Sequence, residues 1–184
     1  AHPHGDRLQA GVARPAGAEN ATTIDLSTQP VLKSWSNVIP SARRRFVVLA
    51  NFSNQAVLDR ETGLVWERYP ETPTRDWEDA VRSCWQRNVA GRLGFHLPTI
   101  EQLSSLVDPA VPAPGPALTP GHPFGSVAGG DTFSSAYWSL TTDVRAAFVP
   151  TQAREVRFGD GTVGDSEQGS VRHGWCGRGG TGGS

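Results

Sequence analysis

The chain has 184 residues, with 17 Lys+Arg against 18 Asp+Glu and a formal net charge of −1. That length fits one domain with a sizeable core plus an irregular arm, and excludes two compact domains. The balanced charge supplies no field to draw in nucleic acid or an anionic membrane, and no apolar run is long enough to span a bilayer. The start AHPHGDRLQAGVARP lacks the charged-then-apolar order of a signal peptide, and there is no Met, even at position 1. A processed product is therefore expected, with removal of a secretory signal the simplest processing; the tail GGTGGS reads as native or as a linker.

Residues 1–34 mix Ala, Gly, Pro and Thr without hydrophobic period and read as an arm or linker. A domain is expected over 35–178, followed by a Gly-rich tail at 179–184. RRRFVVLA (43–50) and AVLD (56–59) are short apolar runs bounded by Asn and Ser. GLVWER (63–68) follows a turn, so AVLDRETGLVWE predicts a hairpin. The period then becomes helical: Trp77, Ala80, Val81, Cys84, Trp85 and Val89 fall on one stripe, which places Cys84 on the buried side. In TIEQLSSLVD, Thr99 and Gln102 form a capping box that opens a short second helix with Leu103, Leu106 and Val107 inward. The proline-dense stretch 108–125 is excluded from helix and central strand, leaving a long ordered or flexible loop. AYWSLTT (136–142), AREVRF (153–158) and SVRHGWC (170–176) read as strands, with a GDGT turn at 159–162. Strands, two helices, a long loop and more strands make an α+β domain, the helices packed on twisted antiparallel sheet.

Two cysteines, Cys84 and Cys176, in a chain that looks secreted favour one disulfide over free thiols. Closing about half the chain allows roughly 4–5 kcal/mol of loop-closure stabilisation. The motifs VLDRETGLVWER, WEDAVRSCWQ, LPTIEQLSSLVD, YWSLTT, VRFGDGTV and WCGRGG stand in the order and near the spacing of one family. Over residues 56–180 the chain resembles the C-terminal domain of the Legionella collagen-like adhesin. That resemblance implies a C-type-lectin-like fold, a secreted or cell-surface setting, a helix-to-last-strand disulfide and ligand binding, which in the named adhesin domain is directed at sulfated polysaccharide. Related lectin-like folds also serve as display scaffolds of diversity-generating retroelements. The chain departs from the family pattern at His96, which replaces an arginine, at Arg154, which replaces a tryptophan, and at Gly174 and Gly177, which replace valines. Surface diversification and ordinary drift both account for such losses of apolar bulk.

No Gly-x-Ser-x-Gly, His-Glu-x-x-His or phosphate-binding glycine loop is present, so the chain is expected not to be an enzyme and to carry no cofactor. Lectin-like folds are shared with formylglycine-generating enzymes, but their chemistry needs reactive cysteines, and both here have a structural use. Asp160, Asp165 and Glu167 are weighed as Ca²⁺ ligands and read instead as turn residues. His2 and His4 in AHPHG, the sequons NAT (20–22) and NFS (51–53), and the basic run RRR (43–45) each have a bland reading as well: an unstructured tip, an unused sequon and a solvated strand edge. No metal site is expected. In AREVRF, strand alternation puts Arg154, Val156 and Phe158 inward and Glu155 and Arg157 outward. If Cys176 points inward, His173 and Trp175 point outward, where the indole either stacks on a ligand or covers the disulfide. Asp143 and Arg145, after the first strand of the C-terminal set, complete the expected contact set of Glu155, Arg157, His173 and Trp175. The function this predicts is an extracellular adhesin- or lectin-like module binding a glycan or protein, with no nucleic acid and no membrane insertion. The rivals are an assembly subunit that uses the N-terminal arm to form a homo-oligomer, and a retroelement-diversified receptor.

Overall fold

The structure, a computed structural model, describes residues 39–130, 135–143 and 151–179, all within one compact unit, Lys33–Ser184. The expectations for residues 1–34, His2, His4, the 20–22 sequon, Arg145 and the end of the tail fall outside the described residues. The architecture is α+β, with few helices and two antiparallel sheets. Its elements are α1 (Ala42–Arg45), β1 (Phe46–Val48), β2 (Ala56–Asp59), β3 (Leu64–Glu67), α2 (Trp77–Trp85), α3 (Ile100–Ser104), β4 (Ala136–Thr142), β5 (Gln152–Arg157), β6 (Thr162–Glu167) and β7 (Gly177–Gly179). One sheet runs β1-β2-β3-β7 and the other β4-β5-β6. This arrangement is consistent with a C-type-lectin-like domain.

The hairpin forms as expected, with Val57 opposite Trp66. Helix α2 is capped by Asp76, whose side chain accepts the Asp79 N–H, and α3 by the full Thr99–Gln102 box. Cys84 is buried on α2 and bonded to Cys176, the Cα atoms 5.4 Å apart. Trp85 departs from the expected stripe: it is 67% exposed, because the inner face of this helix is narrow and is filled by Ala80 and Cys84.

Two cores, not one, organise the packing. The first gathers Phe46, Val57, Trp66, Leu103, Leu106, Phe124, Tyr137, Val156, Phe158 and Trp175. The second gathers Phe52, Ala56, Ala80, Cys84, Phe95, Leu97, Trp138, Ala153 and Cys176. Strand alternation sends neighbours to opposite cores, Val57 and Ala56, Tyr137 and Trp138, Trp175 and Cys176, and on β5 it likewise sends Val156 and Ala153 to opposite faces. The central strands are therefore covered on both faces, and an alternating pattern there does not mark a solvent side.

Trp175 is fully buried. Its ring lies 5.0 Å from Phe124, 5.5 Å from Phe158, 5.7 Å from Trp66 and 5.8 Å from Tyr137. Its Nε1–H donates to the Glu67 carbonyl at 3.0 Å. The expected outward placement is thus corrected: inward Cys176 does put Trp175 on the opposite side, but that side is the first core. Residues 170–176 are also not a regular strand; they are held by bridges from Arg172 to Arg75 and from His173 to Tyr137, and the last strand is β7. Gly177 is buried with the Trp66 ring 3.3 Å from where its Cβ would stand, so the indole fills the space that a valine would need.

Of the two alternatives for the proline-dense stretch the structure takes the ordered one, and two further expectations change. The proline-dense stretch is an ordered loop that buries Ala117, Leu118, Thr119 and Phe124 and returns the Ala117 N–H to the Phe158 carbonyl. At Gly115, φ is +70° and a side chain would collide with that carbonyl. The RRR run forms the single turn α1; Arg43 and Arg44 are exposed, whereas Arg45 is buried, bonded to both oxygens of buried Asp59 at 3.0 and 2.8 Å and to the Ser105 carbonyl at 2.7 Å. GDGTVGDSE runs from its turn straight into β6, which pairs with β5 along its whole length.

Trp175→Ala should therefore cost about 3–5 kcal/mol of stability, the range for truncating a buried aromatic. Trp85→Ala, at an exposed helix position, should fall within about 0.5 kcal/mol of the parent. Chemical denaturation of the two variants checks both values, and equal losses would contradict the two-core packing.

Candidate functional site

The C-terminal residues expected to form an outward patch divide between two environments. Glu155 is fully buried opposite Trp138, on the strand face that carries Ala153 into the second core. Its carboxylate accepts Arg157 Nε at 2.8 Å and Arg172 Nε at 2.7 Å, and Arg172 reaches on to Ser166 Oγ at 2.8 Å. Burial pushes the Glu155 carboxyl up, but bonds from Arg172, Arg157 and Ser166 outweigh it and hold the group below the usual carboxylate range. Gly164 makes room for this cluster, since a Cβ there would meet the Arg157 guanidinium at 2.5 Å. His173 is half-buried, 5.0 Å from the Tyr137 ring. Asp143 is half-buried past the end of β4, its N–H donating to the Gln152 carbonyl. The structure thus unites Glu155 with Arg157 and sends Trp175 elsewhere, so the expected aromatic-and-charge patch does not form.

The acids weighed for Ca²⁺ are likewise occupied. Asp160 accepts the Thr162 N–H and hydroxyl, Asp165 lies 3.3 Å from Arg154, and Glu167 takes the Gln152 amide at 3.3 Å. Among the described residues no group of three or more His, Cys, Asp or Glu is arranged to hold a metal ion.

A concave site lies instead along α2. A groove of about 430 Å³ is lined by Arg75, Asp79, Arg82, Gln86, Arg87 and Asn88. A smaller lobe of about 190 Å³ is lined by Gln55, Glu67, Tyr69, Arg87 and Asn88. The two share Arg87 and Asn88 and so adjoin. Local structure explains the convergence. Glu67 ends β3, the chain then crosses to the start of α2, and Arg87 follows the helix end, so both sides of the groove face one carboxylate pair. Arg87 donates Nη1–H to Glu71 Oε1 at 2.6 Å and places Nε 2.8 Å from Glu67 Oε1. Arg75 donates to the other Glu71 oxygen at 2.8 Å, and its backbone exchanges two hydrogen bonds with Arg172. The floor is thereby tied to the last segment: Glu67 Oε2 accepts the Cys176 N–H at 3.1 Å.

The two carboxylates titrate apart. Burial pushes Glu67 up to about 7, against the opposing pull of Arg87 and the Cys176 N–H. The bond from Arg87 leads the interactions that hold Glu71 down at about 2. Sequence patterning did not mark these groups, because their spacing matches no motif and Arg87 looks like the basic end of a helix. The one available signal was Glu67 itself, a carboxylate among the apolar residues of a core strand.

A carboxyl raised in the folded state stabilises fully below its unfolded pKa and loses that contribution as pH rises through its folded value. Glu67 should therefore make the domain less stable on going from about pH 5 to pH 8, by up to about 3 kcal/mol. Glu71, depressed, loses its contribution as pH falls below its ordinary range. Stability set by this pair should peak near pH 5. Melting temperature against pH checks the window, and Glu67→Gln should flatten the limb above pH 5 while leaving the acid limb in place.

Among curated proteins, none matches this chain. The family described as the Lcl C-terminal domain matches residues 55–178, a span that takes in the hairpin, both longer helices, the groove, the disulfide and all strands from β4 to β6. With most of the chain inside that match, the protein belongs to the Lcl C-terminal domain family.

Proposed function

We propose that the chain is a non-catalytic, adhesin-like, extracellular module of a cell surface that binds a glycan in the groove along α2. The family points to an adhesin-like surface module. The disulfide fits an oxidising, extracellular setting, and among the described residues no helix is long and apolar enough to cross a membrane. The observation that carries the glycan reading is the groove itself: its guanidinium and carboxylate groups are held in place by ion pairs before any ligand arrives, and the exposed amides of Gln86 and Asn88 stand beside them. A rigid set of mixed donors and acceptors suits a polyhydroxylated ligand, because little ordering entropy is left to lose on binding. Ser83 Oγ lies 3.5 Å from Glu71 Oε2 in the groove, but the arginines hold that carboxylate down at about 2, too weak a base to activate a hydroxyl, so the same geometry favours retention over turnover. The C-terminal strands serve as support, since Glu155 and Trp175 are sealed inside the domain.

A glycan array with the whole chain should show saturable binding to a polysaccharide or oligosaccharide class. Gln86→Ala and Asn88→Ala, both exposed, should each weaken it about three- to tenfold without shifting the melting temperature, whereas Thr162→Ala on β6 should leave it unchanged. Groove variants that bind like the parent, or a chain that retains proteins but no glycan, would overturn the assignment.

A further inference from the structure

The smaller lobe differs from the rest of the groove by carrying an aromatic plate. Tyr69 is 53% exposed and lines the lobe with Gln55, Glu67, Arg87 and Asn88. Its position is set from beneath by Gly125, where a Cβ would stand 2.7 Å from ring atoms Cδ1 and Cε1. Among the described residues, the Tyr69 hydroxyl and the side-chain amides of Gln55 and Asn88 make no hydrogen bond within the protein. The cation lining the lobe is Arg87, and it is already matched by two carboxylates, Glu67 and Glu71, with Nη2–H turned to Ser83 Oγ at 3.4 Å. A second guanidinium, Arg68, lies over the Tyr69 ring 5.2 Å from its centroid, donates to the Pro123 and Asn54 carbonyls, and does not line the lobe.

From this geometry we infer that the lobe is a subsite for a single uncharged pyranose unit, stacked on Tyr69 and hydrogen-bonded through its hydroxyls to Asn88 and Gln55. The inference rests on the glycan reading and names the chemistry of its ligand. A pyranose ring has an apolar C–H face that covers an aromatic ring, and hydroxyls that both donate and accept; the lobe supplies one plate and two uncommitted amides at its rim. A sulfate or carboxylate would instead need an unmatched cation, and it would meet the charge of Glu67 and Glu71. Recognition here is therefore by stacking and neutral hydrogen bonds, which salt screens little, in contrast to the electrostatic capture of a sulfated chain.

The test uses the whole chain with immobilised neutral oligosaccharides of hexose, 6-deoxyhexose and N-acetylhexosamine, and with dextran sulfate, each at low and high salt. At least one neutral saccharide should bind with an affinity that is unchanged by salt. Tyr69→Ala should weaken that binding by about tenfold or more, Tyr69→Phe should retain it, and Gly125→Ala, which displaces the ring without removing it, should fall between. All three variants should melt with the parent. Neutral saccharide binding that survives Tyr69→Ala would overturn the subsite. Binding of dextran sulfate alone, lost at high salt, would overturn the uncharged ligand while leaving a glycan-binding groove intact; no glycan bound by the parent would overturn both.

Discussion

The insertion of Trp175 and Cys176 between the two cores is the constraint on which the rest depends. Adjacent residues on an extended chain point opposite ways, so a segment driven between two apolar clusters fills both at once. The indole closes the first core against Trp66, Phe124, Tyr137 and Phe158, and the sulfur closes the second against α2. The same two residues also organise polar groups: the Trp175 Nε1–H takes the Glu67 carbonyl and the Cys176 N–H takes its carboxylate. Glu67 can be buried beneath the groove only because this segment supplies partners for it. The first residues of the groove and the last residues of the domain are in this way parts of one hydrogen-bonded unit, although more than a hundred positions separate them in the chain.

The groove shows how ion pairs confer rigidity without net charge. Arg87 is the hinge point between Glu67 and Glu71, and Arg75 holds the far side of Glu71. Exposed pairs such as Arg82 with Asp79 contribute little to stability. The pair at Glu67 is different, because the carboxylate is removed from water and its desolvation exceeds what Arg87 returns. A strained carboxylate of this kind is a cost to the fold, retained where an acceptor is held in a fixed direction.

Much of the fold was legible in the sequence because it was local or repeated. The hairpin, the Thr99 capping box, the buried position of Cys84 and strand β4 follow from turn residues, caps and periodicity, and the family from motif order. What was not legible depended on which surfaces meet. Alternation in AREVRF and SVRHGWC predicts inside against outside, whereas the structure makes it one core against another. Trp85 matched the helical stripe in spacing but lies beyond the width of face that α2 buries. Arg45, in a run of three arginines, is the one whose partner Asp59 sits across the sheet register from Phe46. The groove was missed for the same reason: its side chains come from the end of a strand, a crossing loop and the far end of a helix, and only the packing of those elements brings them together.

The double burial of residues 175–177 also bears on where this domain tolerates sequence change. A scaffold that meets different ligands must vary its contact residues without touching those that fold it. Here the C-terminal segment has no such freedom: Trp175 is bound by four rings, Cys176 by a covalent bond, Gly177 by the face of Trp66 and Arg172 by Glu155. The freedom lies in the groove, where Gln86 and Asn88 are exposed and support no core. Adaptation to new ligands would thus be written into the middle of the chain, while its end stays fixed as the clasp of the domain.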